Sequence, residues 1–223
     1  MTKYETEMIE TARMYLGTKE GSAKHKKLID TYNSITPLPH GYKLAYSDAW
    51  CAAFVSAIAE LSGCGKRCYP DCNVNYMVKT YRKNKRFTKK LSRAAAGDYV
   101  IYEWNRDGIP DHIGLLVAID GYSLTVIEGN KSDAVGYRVI NAKDVSVYGY
   151  CINDVHALAD GAKNDSNGAS ESDGALYDHV AMDVIRGKYG NGAARYQALR
   201  TAGYDPDKVQ EVVNEIMHKT YGR

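Results

Sequence analysis

Apolar residues in the first 86 positions recur at the three- and four-residue spacing of amphipathic helices. Thr2–Leu16 and Lys24–Tyr32 show this pattern, so each is predicted to be a helix. A third helix is predicted within Tyr46–Gly63, where Ser47 and Asp48 are suited to cap its N-terminus. The segment VNYMVKTYRKNKR predicts a fourth amphipathic helix with a basic end.

From residue 97 the pattern changes to short runs rich in Val, Ile and Tyr, separated by turns of Gly, Asp and Asn. Runs of this kind predict successive antiparallel strands. They read GDYVIYEW, HIGLLVAID, SLTVIEG, GYRVIN and VYGYCIND. Helices followed by strands indicate an α+β fold, in which the helices pack on one face of a sheet.

The stretch 158–175 consists almost entirely of Gly, Ser, Ala, Asn and Asp. Such a composition buries too little apolar surface to order itself, so it predicts a flexible linker. Three amphipathic segments beyond it predict a small three-helix bundle: LYDHVAMDVIRGKYG, NGAARYQALRTAGYDP and VQEVVNEIMHKTYG. The predicted organisation is a first domain over 1–157, a linker over 158–175 and a bundle over 176–223.

Charge and cysteine content exclude several classes of function. A formal net charge of +2 over 223 residues supplies no strong basic field for nucleic acid. No window approaches the roughly 18 uninterrupted apolar residues of a membrane span, and the N-terminus lacks an apolar signal core. Five cysteines, an odd number, do not indicate a disulfide framework, and Cys64, Cys68 and Cys72 match no zinc spacing. We expect no metal and no cofactor.

Cys51 falls in the first turn of the third predicted helix, whichever residue caps it. Unpaired N–H groups and the positive dipole end of a helix stabilise a thiolate there. The alternative is a core cysteine, since apolar residues such as Phe54 share its face. A nucleophilic thiolate needs a base and a residue that orients it. His112 opens one predicted strand, and Glu128 and Asn130 lie at the end of the next. These residues meet at one edge of the sheet if the two strands are neighbours.

Four motifs in the same order resemble the CHAP family of cysteine amidohydrolases and peptidases: WCAAFVSAIAE, GDYVIYEW, DHIGLLVAI and VIEGN. The resemblance covers residues 2–155 and implies a papain-like α+β fold. It implies that Cys51 is the nucleophile, His112 the general base and Glu128 the residue that orients His112. It also implies that Asn130 supports the imidazole or the oxyanion, and that Trp50 lines the substrate groove. Some relatives carry a calcium loop before the cysteine, but GYKLAYSDAWC holds a single acid, so no calcium is expected.

The segment VAMDVIRGKYGNGAARYQALRTAGYDPDKVQEVVNEI resembles the Cpl-seven-type cell-wall-binding repeat at the ends of some phage lysozymes. The resemblance implies binding of a muropeptide. Tyr189 and Tyr204 would offer ring faces to a sugar, and Asn191 and Arg195 would offer hydrogen bonds. The alternative is that residues of this kind merely build the bundle. Relatives carry the repeat in tandem and this chain has one copy, so a homo-oligomer could supply avidity.

Together the two resemblances predict a phage or prophage endolysin that hydrolyses an amide bond of peptidoglycan. The bond is either the N-acetylmuramoyl-L-alanine amide or a peptide bond of the stem or cross-bridge, and the sequence does not separate them. Without a signal sequence, the protein is expected to be made in the host cytoplasm and to reach the Gram-positive wall after holin-type release. The alternatives are a bacterial autolysin and a non-catalytic wall-binding protein.

Overall fold

The computed structural model describes residues 1–156, 173–185, 189–190, 192–201 and 204–221. The chain divides into two compact units, Met1–Ala162 and Lys163–Arg223. Most of the predicted linker, residues 158–172, lies outside the described residues, and a helix begins at Asp173, inside the predicted linker boundary. No helix among the described residues is long and apolar enough to cross a membrane.

Helices make up the first half of the N-terminal unit, and an antiparallel sheet makes up the second half. Four helices, α1 to α4, cover Lys3–Arg13, Ala23–Asn33, Cys51–Leu61 and Val74–Lys83. Six strands, β1 to β6, cover Phe87–Thr88, Tyr99–Tyr102, His112–Asp120, Ser123–Glu128, Gly136–Asn141 and Val147–Cys151. The predicted α+β class is confirmed. Strand β1 was not predicted, because two residues are too short to show a period.

The order of strands in the sheet is β1-β6-β2-β3-β4-β5, with antiparallel pairing throughout. Strands β3 and β4 are therefore neighbours, with Leu115 opposite Ile127. In an antiparallel pair, the start of one strand lies beside the end of the next. His112, which begins β3, and Glu128, which ends β4, accordingly lie at the same end of the sheet.

Helix α3 is enclosed by the rest of the unit. All its residues from 51 to 59 are buried, and it packs against α2 and against β3 and β4. A helix that is apolar all round belongs in such an enclosed place. Trp50 occupies the N-cap position without a capping side chain, so the prediction that Ser47 or Asp48 caps this helix is wrong. Asp48 instead accepts a hydrogen bond from the Ala45 backbone in the preceding turn.

The described residues of the C-terminal unit form three helices, as predicted. Helices α5, α6 and α7 cover Asp173–Ile185, Gly192–Thr201 and Pro206–Tyr221, and α7 packs against both others. Buried apolar side chains from all three form its core: Val180, Ala181, Met182, Val184, Leu199, Val209, Val213 and Ile216. Gly190 and Gly192 have positive φ angles of 71° and 58°, a backbone conformation that glycine adopts without the strain of a Cβ.

Candidate active site

Cys51 is the first residue of helix α3, which confirms its predicted place in the first helical turn. The side chain is largely buried, with 7% of the residue exposed. The first main-chain bond of the helix runs from the Phe54 N–H to the Trp50 carbonyl. The N–H groups ahead of it have no partner within the helix, and they place a positive field beside the thiol.

His112 joins the Cys51 thiol to the carboxylate of Glu128. Its Nε2 lies 3.1 Å from Oε2 of Glu128, a side chain with no exposed surface, and the His112 side chain is 12% exposed. Burial by itself would lower the His112 pKa. Hydrogen bonding and charge interaction with Cys51 and Glu128 outweigh that effect and raise the His112 pKa to about 9. The imidazole is therefore held in its protonated form around neutral pH.

Two glycines allow these side chains to come together. A Cβ on Gly114 would lie 2.6 Å from Cγ of Glu128, so only glycine leaves room for that side chain to reach His112. A Cβ on Gly129 would lie 2.4 Å from Cβ of Phe54, so glycine lets the end of β4 close against the start of α3. The His-x-Gly and Glu-Gly motifs thus have a steric cause that the sequence alone did not show.

Arg138 on strand β5 is a member of the site that was not predicted. Its Nε donates to Oε1 of Glu128 at 2.6 Å, while the other carboxylate oxygen faces His112. Burial would raise the Glu128 pKa, but hydrogen bonds from His112 and Arg138 hold it below its ordinary value. The available signal was a charged residue in the middle of the strand motif GYRVIN, which otherwise reads as apolar.

An aromatic stack forms one side of the site. The rings of Tyr102 and Trp104 are nearly parallel, with centroids 4.9 Å apart, and the His112 ring stacks 5.7 Å from Tyr102. The guanidinium of Arg138 lies 5.0 Å from the Trp104 centroid. Asp111 accepts a hydrogen bond from the Trp104 backbone N–H and so holds the loop that carries this ring. Trp104 is 44% exposed, so its ring is the accessible aromatic face of this stack.

Trp50 does not line a groove, and that interpretation of the sequence is corrected. It has no exposed surface, its indole N–H donates to Glu20 at 2.9 Å, and its ring packs 4.7 Å from the His25 ring. The side chain at the N-cap of an enclosed helix turns into the core. The accessible tryptophan beside the site is Trp104, which lies outside the sequence motif that carries the cysteine.

A pocket of about 340 Å³ opens beside the His112 ring. Asn130 belongs to its wall, in a loop where Asn130 itself has a positive φ of 55°. The structure thus brings Asn130 next to His112, while its chemical role stays a prediction. The lining residues are Trp104, His112, Asn130, Lys131, Ser132 and Arg138.

In the C-terminal unit, the structure brings together two of the four predicted wall-binding residues. The rings of Tyr189 and Tyr204 meet edge to face, with centroids 6.4 Å apart. Arg195 donates from Nη2 to the side-chain oxygen of Gln210 at 2.5 Å, which ties α6 to α7. Asn191 lies outside the described residues. The binding role of all four stays a prediction.

A helix-borne thiol that faces a histidine on an antiparallel sheet, with an acid behind the histidine, is a papain-like arrangement. Comparison with known families agrees with this class. The CHAP domain model matches residues 41–130, and the CW_7 repeat model matches residues 178–217. These two matches confirm both resemblances seen in the sequence, the first of them over residues 41–130 of the 2–155 that were expected.

The chain is also similar to the lysozyme of Streptococcus phage Cp-7, with 60% identity over 37 residues. That match covers 17% of this chain and 11% of the lysozyme. No solved structure matches the chain significantly. The likeness to the phage lysozyme is thus strong but confined to one short segment.

Proposed function

We propose that this protein is a phage or prophage endolysin that hydrolyses an amide bond of bacterial peptidoglycan through a cysteine–histidine thioester mechanism. The observation that carries the proposal is Cys51 at the start of α3, interacting with a buried His112–Glu128 pair inside the CHAP match. The CW_7 match supports the bacterial wall as the substrate and a muropeptide as the ligand of the repeat. The likeness to a phage lysozyme supports a phage origin.

In the first half of the reaction, the Cys51 thiolate attacks the carbonyl carbon of the amide. The oxygen becomes an oxyanion, which the Cys51 backbone N–H at the helix start stabilises, with Asn130 as a second candidate donor. The C–N bond then breaks. The leaving nitrogen takes a proton from His112, whose pKa of about 9 keeps that proton available at neutral pH, and the acyl group remains on sulfur as a thioester.

In the second half, the now neutral His112 takes a proton from water, and the resulting hydroxide attacks the thioester carbon. The C–S bond breaks, and the thiolate and the protonated imidazole are restored. Glu128 holds Nε2 of the ring, so Nδ1 is the nitrogen left for the thiol, the leaving amine and the water. Arg138 neutralises Glu128 and fixes the carboxylate that orients the ring.

Two bonds fit this mechanism equally well: the N-acetylmuramoyl-L-alanine amide, which would make the protein an amidase, and a peptide bond of the stem or cross-bridge, which would make it an endopeptidase. Both are carboxamides of ordinary reactivity, and the same thiolate and imidazole serve either. The new end groups in the product distinguish them, because an amidase creates free lactyl carboxylates and an endopeptidase does not.

The test compares the wild type with Cys51→Ala and with Cys72→Ala, a control that removes a partly buried thiol outside the site. Purified Gram-positive walls are followed by turbidity, and new amino groups and lactyl carboxylates are counted. We expect the wild type and Cys72→Ala to clear the walls, while Cys51→Ala sediments with them but does not clear them. Clearance by Cys51→Ala at the wild-type rate would contradict the nucleophile. Binding without clearance by the wild type would favour a non-catalytic wall-binding protein.

A further inference from the structure

The pocket beside His112 has an unbalanced positive charge. Two of its six lining residues, Lys131 and Arg138, carry basic side chains, and none of the six carries a carboxylate. We infer that this pocket is a subsite for a carboxylate on the part of the substrate that leaves as the amine. The inference rests on the proposed hydrolysis of a peptidoglycan amide and specifies which peptides that site prefers.

Charge pairing within the site leaves Lys131 as the cation without a counter-charge. Arg138 lies 2.6 Å from the Glu128 carboxylate, and His112 lies 3.1 Å from the same carboxylate and also interacts with Cys51. Within the part of the chain that the structure describes, Lys131 has no carboxylate partner. Asp133 follows in the same loop but does not line the pocket. A ligand that brings one negative charge therefore gives Lys131 the partner that these residues do not supply.

The loop that carries Lys131 is held in place before a ligand arrives. Asn130, Ser132 and Asp133 all have φ angles between 52° and 56°, a region that costs non-glycine residues energy and persists only where the surroundings enforce it. The Glu20 N–H donates to the Asp133 carbonyl at 2.7 Å and pins the loop to the segment between α1 and α2. A cation on a fixed loop loses less conformational freedom on binding than one on a mobile loop.

Proton transfer from His112 places the pocket next to the part of the substrate that leaves as the amine. The leaving amine takes its proton from His112, so the residues that follow the scissile bond must lie on the side of that ring. A carboxylate on this fragment can reach the Lys131 ammonium and the Arg138 N–H groups that Glu128 does not use. The exposed ring of Trp104 supports the adjacent peptide plane.

A carboxamide in place of the carboxylate keeps the shape but loses the charge. Charge-assisted hydrogen bonds are about twice as strong as neutral ones. Because Lys131 is only partly buried, we expect a preference of about tenfold in kcat/KM for the acid over the amide.

The test uses walls whose carboxylates have been partly converted to carboxamides with a carbodiimide and ammonia, so that both forms compete in one digest. The variants are Lys131→Ala, Lys131→Arg and, as a control, Lys143→Ala, a cation that lies over the Tyr122 ring beyond the other end of the sheet. Mass spectrometry gives the acid-to-amide ratio among fragments with new amino termini, relative to the undigested wall.

We expect about tenfold enrichment of the acid with the wild type, Lys131→Arg and Lys143→Ala, and little enrichment with Lys131→Ala. A wild type that releases both forms in wall proportion, or a Lys131→Ala variant that keeps the enrichment, would overturn the inference while leaving the proposed hydrolysis intact. If the wild type releases no amino groups, the proposed hydrolysis fails. In that case, the affinities of Cys51→Ala for the acid and amide forms of the leaving peptide test the subsite, and equal affinities would refute it.

Discussion

Replacing Glu128 with Gln removes the negative charge behind His112 with almost no change in shape. Glu128 has no exposed surface, hydrogen-bonds to His112 and Arg138, and also acts on the buried Tyr102 hydroxyl, so the effect falls on side chains within the site. The carboxylate favours protonated imidazole, and a neutral amide does not. We therefore expect the His112 pKa to fall, and with it the upper pH limit of activity, because the mechanism needs a proton on His112 for the leaving amine.

The magnitude follows from the shift itself. A rise in the His112 pKa from 6.5 to about 9 corresponds to roughly 3 kcal/mol in favour of the charged form. Cys51 and Glu128 together raise the His112 pKa, while burial opposes them. Removal of the carboxylate should therefore shift the basic limb of the pH–activity profile, where activity falls as pH rises, by at least about one pH unit toward lower pH. At pH values below that limb, Glu128→Gln should keep a larger fraction of the wild-type activity than it keeps at pH 8.

A double variant separates the effect of the Glu128 charge on the His112 pKa from its effect on stability. Glu128→Gln leaves Arg138 half-buried without its carboxylate, which we expect to cost about 1–3 kcal/mol of unfolding free energy. The double variant Glu128→Gln/Arg138→Gln removes both charges and should recover much of that stability. It should keep the lowered basic limb, because the carboxylate that raised the His112 pKa is still missing.

The assay is the pH dependence of kcat/KM for release of amino groups from walls, with urea unfolding of each variant as the control for folding. In the free enzyme, this profile reports the pKa values of the essential acid and base. A basic limb that stays at the wild-type position in a folded Glu128→Gln variant would refute the role of Glu128 on His112.

Three further predictions concern other contacts of the same unit. Gly114→Ala should lower activity more than tenfold and stability by about 1–3 kcal/mol, since its Cβ would meet Glu128, while Gly136→Ala, with its nearest atom at 3.8 Å, should be nearly neutral in activity and melting temperature. Trp104→Ala should raise KM for walls more than it lowers kcat, and an unchanged KM would exclude substrate contact. Paired carboxylates raise the His156 pKa to about 10, so its stabilising effect is complete below pH 6.5 and is lost as pH rises toward 10. The difference in unfolding free energy between wild type and His156→Gln should shrink between pH 6.5 and 10, and a constant difference would contradict this pairing.

Local sequence signals were sufficient for the elements and for the core of the site. The apolar periods predicted α1 to α4, β2 to β6 and the three C-terminal helices, because period and propensity depend on neighbouring residues in the chain. The same local signals placed Cys51 at a helix start, His112 at the start of a strand and Glu128 at the end of the next. Motif order was enough to recognise both the CHAP domain and the CW_7 repeat.

Local signals failed where the outcome depends on the surroundings of an element. Ser47 and Asp48 are good capping residues, but the turn before α3 uses Asp48 for its own hydrogen bond. Trp50 sits beside the nucleophile in the sequence, yet its ring enters the core because α3 is enclosed by α2 and the sheet. The direction in which a side chain points from a helix start is set by what packs around that helix.

Patterns within the chain were enough to predict the main helices and strands other than β1, the place of the Cys51 thiol at a helix start, and the families that the two halves resemble. Arg138 joins the site only in the folded chain, because β5 must pair with β4 before its guanidinium can reach Glu128. The pairing of β3 with β4 and the missing Cβ of Gly114 likewise bring His112 to Glu128. The contacts of Glu128 with His112 and Arg138 join residues 16 and 10 positions apart, and their energies depend on packing that no local pattern encodes.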